Sequence, residues 1–105
     1  MGQSWAYTNP NPATRDSYPF LLEIQSNLLR DLRTTVVIPL TSSKIANESR
    51  MSRLNPEFEI NGESYTGITQ EIAGLERRLL GQPAYDLTHY HSEIIAAIDF
   101  MMSGV

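Results

Sequence analysis

The stretch Phe58-Glu59-Ile60-Asn61-Gly62-Glu63-Ser64-Tyr65 leaves the chain little local choice. Asn-Gly between two alternating segments supplies the two positive-φ residues of a type I′ turn, which joins antiparallel strands. That turn sets Ile60 opposite Glu63 and Phe58 opposite Tyr65, an aromatic cross-strand pair. Other segments share the β character. Trp5 to Thr8 is a short candidate strand, and the Asn- and Pro-rich stretch from Ala6 to Ser17 reads as an exposed loop. From Tyr18 to Gln25, Phe20, Leu22 and Ile24 alternate with Leu21, Glu23 and Gln25, a period-2 strand. Thr34 to Leu40 is β-branched and almost wholly apolar, a buried strand whose end Pro39 places at an edge or bulge. Thr41 to Pro56 reads as a long loop or short irregular segment. Thr66 to Ala73 continues in strands, whereas Gly74 to Gly81 fits a helical turn or a strand equally.

The last segment changes period. Leu87, Tyr90, Ile94, Ile98 and Met101 recur at spacings of three and four, with Asp86 or Thr88 to cap the start and Gly104 to end the helix. Phe100 and Met102 point away from this stripe, so apolar residues wrap the helix. That implies burial on a second side, either in the core of a monomer or against another subunit. At 105 residues the chain is one domain, 1–105, mainly β with a C-terminal helix: a small barrel or partly open sheet.

Composition excludes several chemistries. With no cysteine there is no disulfide framework, thiolate metal site or cysteine nucleophile. His89 and His91 lie two apart, so on a helix they do not share a face and make a poor chelate. The serines lack a nucleophile-elbow context, no glycine-rich phosphate loop occurs, and no acid–base pair is marked by spacing. No apolar run approaches the ~20 residues of a membrane span, and Met1 to Trp5 lacks the features of an export signal. A soluble, cytoplasmic, non-enzymatic protein is expected, with no metal and no cofactor. Charge is uneven: residues 15–53 hold six basic and four acidic side chains, residues 54–105 two basic and eight acidic. Phosphate binding needs clustered Lys and Arg, so direct nucleic-acid binding is not expected. The acidic half fits either a basic partner or a solvated surface.

Gln25-Ser26, Val37-Ile38-Pro39-Leu40, Asp86-Leu87-Thr88-His89, Ala97-Ile98-Asp99-Phe100-Met101 and the final Gly104-Val105 occur in an order and spacing that resembles the CcdB toxins of bacterial toxin–antitoxin modules. The resemblance runs without a gap from Gln25 to Val105. It implies a homodimer with an SH3-like β-barrel core (CcdB/MazF-like), a small extra sheet and a C-terminal helix. It further implies poisoning of DNA gyrase by binding between its A subunits, and neutralisation by a CcdA-like antitoxin whose disordered segment folds onto the toxin in a repressor complex. By position, the gyrase-facing residues are Leu28, Leu29, Asp99, Met102, Ser103, Gly104 and Val105. Loops 9–16 and 41–50 are the expected antitoxin contacts.

This sequence departs from the family pattern in three places. Ser103 stands where well-studied members have Trp, Asp99 where they have a neutral amide, and Glu76-Arg77-Arg78 where they have an apolar Val-Pro-Val strand. Two alternatives keep the fold but change the function. One is a decoy that binds antitoxin but not gyrase. The other is a MazF-like endoribonuclease, which the sequence disfavours because no convergent Arg–acid or Arg–Thr pair is evident.

Overall fold

The computed structural model describes residues 2–47 and 50–104. Seven strands form one antiparallel sheet: β1 (Trp5–Thr8), β2 (Phe20–Glu23), β3 (Thr34–Ser42), β4 (Glu57–Ile60), β5 (Glu63–Gly67), β6 (Ala73–Glu76) and β7 (Pro83–Asp86). Their order is β4-β5-β3-β2-β1-β7, and β6 pairs with β3. The sheet curls into a half-barrel whose concave side is completed by α2 (His91–Ser103); a one-turn helix, α1 (Ser43–Ala46), follows β3. This is the mainly β architecture with a C-terminal helix that the sequence led us to expect. The small extra sheet is β6 laid along the first half of β3, continuous with the rest.

The hairpin forms as its turn chemistry requires. Asn61 and Gly62 take φ of 53° and 81°, and Ile60 pairs with Glu63 and Phe58 with Tyr65. Strict alternation buries Phe58 and Ile60 and exposes Glu57 and Glu59. The Phe58 ring makes its edge contact with Tyr90 of the segment before α2, and Tyr65 with Phe20 of β2, so the hairpin's aromatic residues join three elements. A Cβ at Gly62 would meet no atom within 4 Å, so Gly62→Ala is resisted by backbone conformation alone. We expect it to cost about 1 kcal/mol, read as a fall of about 4–8 °C in Tm for a domain of this size. An unchanged Tm would show that the turn tolerates a Cβ.

Strand β3 corrects the expected end at Pro39. It continues to Ser42, and Pro39 sits mid-strand opposite Leu21 of β2. One edge of β3 pairs with β6 through Thr34–Val37 and then with β5 through Leu40–Ser42. The Pro39 carbonyl accepts from Ile68 N at 2.9 Å, in the gap between those two neighbours. The missing N–H faces the same gap, so no ladder bond is lost.

Ala6, Leu22, Ile38, Leu40, Phe58, Ile60, Leu87 and Ile94 form the core. The ambiguous stretch resolves into both of its options: β6, then a 3-10 turn over Arg77–Leu79. Before α2, the Asp86 carboxylate accepts from the Thr88 N–H (2.9 Å) and hydroxyl (2.5 Å), bracing the entry to a 3-10 turn over Thr88–Tyr90; the N-cap of α2 is Tyr90, with no side-chain cap bond, rather than Asp86 or Thr88 as expected. Those two bonds hold the Asp86 carboxyl below the usual carboxylate range, the hydroxyl contributing most. At the other end Gly104 adopts φ 74° and its N–H closes on the Phe100 carbonyl at 2.8 Å. Ile94 and Ala97 are the buried residues of the helix, while Ile95 and Met102 face solvent. The reading of α2 as a helix fully embedded within one chain is therefore overturned.

Candidate protein-binding surface

Two exposed apolar segments carry the residues picked out from sequence. The first follows β2. Ser26 Oγ accepts from Leu28 N at 3.2 Å and caps a 3-10 turn over Asn27–Leu29. Gln25 Nε2 donates to the Thr34 carbonyl at 3.1 Å, and Asn27 Oδ1 accepts from Gln3 N at 2.8 Å. The backbone is thus pinned at both ends while its side chains point out: Leu28 is 94% and Leu29 46% exposed, and Leu32 is exposed beside them. Leucines left in water on a hydrogen-bonded turn are informative, because large apolar patches mark interaction sites.

The second segment is the tip of α2. Met102 is 78% exposed, and Asp99, Ser103 and Gly104 are exposed with it. Ser103 Oγ folds back to the Asp99 carbonyl at 2.7 Å, leaving nothing of that side chain to extend outward. Val105, expected among the gyrase-facing residues, lies outside the described residues. No hydrogen bond joins the two segments among the described residues.

The segments expected from sequence to contact an antitoxin, 9–16 and 41–50, are differently built; the first lies within the loop 9–18 that joins β1 to β2. Loop 9–18 is fastened by its asparagines: Asn9 is buried and its Nδ2 donates to Thr14 Oγ1 (3.0 Å) and the Tyr18 carbonyl (2.8 Å), while Asn11 Oδ1 accepts from Ala13 N at 2.9 Å. Between this loop and the outer sheet face runs a groove of about 510 Å³, lined chiefly by Pro10, Pro12, Leu21, Val37, Leu75 and Leu79. Of the segment 41–50, Thr41 and Ser42 belong to β3 and Ser43–Ala46 to α1; Ile45 is exposed, and residues 48 and 49 lie outside the described residues.

An Arg–acid–Thr constellation was not evident from sequence, but the fold assembles one. Glu23 ends β2 with its side chain only 2% exposed. Its Oε2 accepts from the Thr35 hydroxyl at 2.5 Å and from Arg77 Nη1 at 2.7 Å. Burial, and then the Glu23 carboxylate beside it, push the Tyr7 hydroxyl above its ordinary pKa. This also accounts for the departure at Glu76-Arg77-Arg78: Arg77 neutralises Glu23, and Arg78 pairs with Glu76 at 2.5 Å on the surface. The cluster is closed rather than open to a substrate, because the carboxylate is covered by its partners. Its sequence signal was Glu23 itself, one charge in an apolar strand.

A second contact also escaped the sequence reading. The Arg53 guanidinium lies over the Phe100 ring, 4.7 Å from its centroid, and ties the segment after α1 to the helix tip.

Among solved structures, an endoribonuclease in complex with its cognate antitoxin from Mycobacterial species superposes on 97% of this chain and 94% of its own, with a TM-score of 0.73 and 16% identity. That likeness is one of fold. The family model described as CcdB protein matches residues 3–104. Together with the curled sheet and the helix that closes it, this match settles the assignment: the chain belongs to the CcdB family, the toxins of toxin–antitoxin modules.

Proposed function

We propose that this toxin acts as a homodimer that binds the A subunit of DNA gyrase in the cytoplasm and traps its cleaved DNA complex, with no catalytic step of its own. The observation that carries the reading is exposed apolar side chain at the positions the family resemblance assigns to the target: Leu28, Leu29 and Met102 face solvent on hydrogen-bonded backbone. Dimerisation would bring the segments of two chains together on a larger shared surface. Gly104 keeps the backbone of the tip open to close approach. A CcdA-like antitoxin segment, disordered when free, would lie in the apolar groove beside loop 9–18, where ordering it is offset by the sheet-face leucines.

The test is a gyrase cleavage assay with purified protein whose dimeric state is fixed by light scattering. Trapped gyrase–DNA complexes at saturating toxin are the expected result. Their absence with an intact dimer would leave the decoy reading, which predicts normal growth on expression without antitoxin.

The structural neighbour named an endoribonuclease favours one other reading, RNA cleavage. Glu23, Thr35 and Arg77 are the residues on which it would rest. The burial of Glu23 and Thr35 argues against it, because a scissile phosphate needs access to the general base. Incubation with RNA without added metal separates the two, and no cleavage is expected.

A further inference from the structure

The last turn of α2 stands beyond the core. Ile94 and Ala97 are buried and Ile98 packs partly on the core, whereas no described residue from Asp99 to Gly104 is buried. Helix ends fray when tertiary packing stops supporting them. The Arg53 guanidinium reaches this turn from outside the helix and covers the Phe100 ring at 4.7 Å.

Arg53 is itself well placed. Leu54 N and Asn55 N both donate to the Met51 carbonyl, at 3.0 and 2.7 Å, closing a tight turn with Arg53 inside it. Asn55 then fastens that turn to the sheet. It is 1% exposed; its Oδ1 accepts from Met51 N at 3.0 Å, and its Nδ2 donates to the Gly67 carbonyl at 3.1 Å and to Gln70 Oε1 at 2.7 Å. Arg50 Nε adds a bond to the Asn55 carbonyl at 2.9 Å. A rigid turn anchored at the end of β5 therefore presents a guanidinium to the free end of the helix. Glu93 and Asp99 share a groove of about 690 Å³ with Arg53, yet neither forms an ion pair with it among the described residues. The ring holds the guanidinium, not a carboxylate.

We propose that Arg53 is a positioning residue for target binding: by stacking on Phe100 it transmits the rigidity of the sheet to the α2 tip and keeps Met102, Ser103 and Gly104 in binding geometry. The inference rests on the reading of that tip as the target surface. A tip that spends part of its time frayed binds in proportion to its ordered fraction. At the strength of an exposed cation–π contact, loss of Arg53 should shift the fraying equilibrium about two- to fivefold.

Arg53→Ala, Arg53→Lys and Phe100→Leu test this with three readouts. These are hydrogen exchange of the Met101–Gly104 amides, the toxin level that arrests growth in a host without antitoxin, and the toxin concentration for half-maximal trapping of gyrase complexes. Arg53→Ala and Phe100→Leu should exchange faster at the tip and require more toxin, the two factors multiplying to about two- to fivefold, with exchange in β2 and β3 unchanged. Arg53→Lys, which keeps the cation, should recover part of the loss. Arg53→Ala with wild-type exchange at the tip, or with wild-type potency at equal soluble level, overturns the proposal. If the wild type arrests growth without trapping gyrase while potency still follows Arg53, the target assignment falls and the positioning role stands. If the wild type traps gyrase and Arg53→Ala traps it equally well, the positioning role falls alone. A wild type that neither traps gyrase nor arrests growth overturns both.

Discussion

Arg77→Ala should lower the free energy of unfolding by about 3 kcal/mol at fixed protomer concentration, the lower end of what breaking a buried ion pair costs. The Glu23 side chain is 2% exposed and that of Arg77 30%, so the carboxylate depends on the guanidinium far more than the reverse. With Arg77 gone, the Thr35 hydroxyl and the neighbouring Tyr7 hydroxyl are left to solvate a charge held inside the sheet, with no cation beside it. The Glu23 Oε1 atom already lacks a hydrogen-bond partner, so the carboxylate is under-solvated even before Arg77 is removed. Water entering through the space vacated by Arg77 limits the loss and places it at the low end. Urea unfolding followed by far-UV circular dichroism measures the loss, expected as a fall of more than about 10 °C in Tm on a parallel thermal scan. Adding Glu23→Gln to Arg77→Ala removes the stranded charge and should regain more than half of the loss. If Arg77→Ala shifts stability by less than about 0.5 kcal/mol, as ordinary surface substitutions do, the pair is not what holds the β6–β7 connection to β2.

That pair also marks where sequence legibility ends. Period-2 alternation placed Glu23 on the face of β2 opposite Leu22, the face expected to meet water. It is buried because the chain returns much later and lays Arg77 across it, and no local pattern encodes that return. Pro39 teaches a similar lesson. Whether a proline ends a strand depends on which neighbour lies on the side of its missing N–H, and here that side faces the gap between β6 and β5. The hairpin was legible because Asn61 and Gly62 decide their own dihedrals, and α2 because its stripe and its Gly104 cap are local too. The exposed leucines were singled out through the family resemblance alone, since no local pattern marks Leu28 and Leu29 as facing solvent. The Arg53–Phe100 contact was not legible, since it joins a turn and a helix tip far apart in sequence.

Ser103→Trp should lower the toxin concentration for half-maximal trapping of gyrase–DNA complexes by about thirtyfold, the equivalent of about 2 kcal/mol. The tip as it stands offers its partner one large apolar side chain, Met102, because the Ser103 hydroxyl is turned back onto the helix at 2.7 Å from the Asp99 carbonyl. The family pattern that this sequence resembles has Trp at that position. An indole there adds a wide, rigid face on which a guanidinium of the target can stack, at little conformational cost. The position is exposed and ends the helix, so the substitution should move stability by no more than about 0.5 kcal/mol. Ser103→Leu supplies apolar area without the ring and should give only a small part of the gain, which separates stacking from general stickiness. Equal potency for Ser103→Trp and the wild type, with both dimeric, would mean that the target contact lies elsewhere on the molecule. If Ser103→Trp and Ser103→Leu gain alike, buried area and not the aromatic face is what Ser103 withholds.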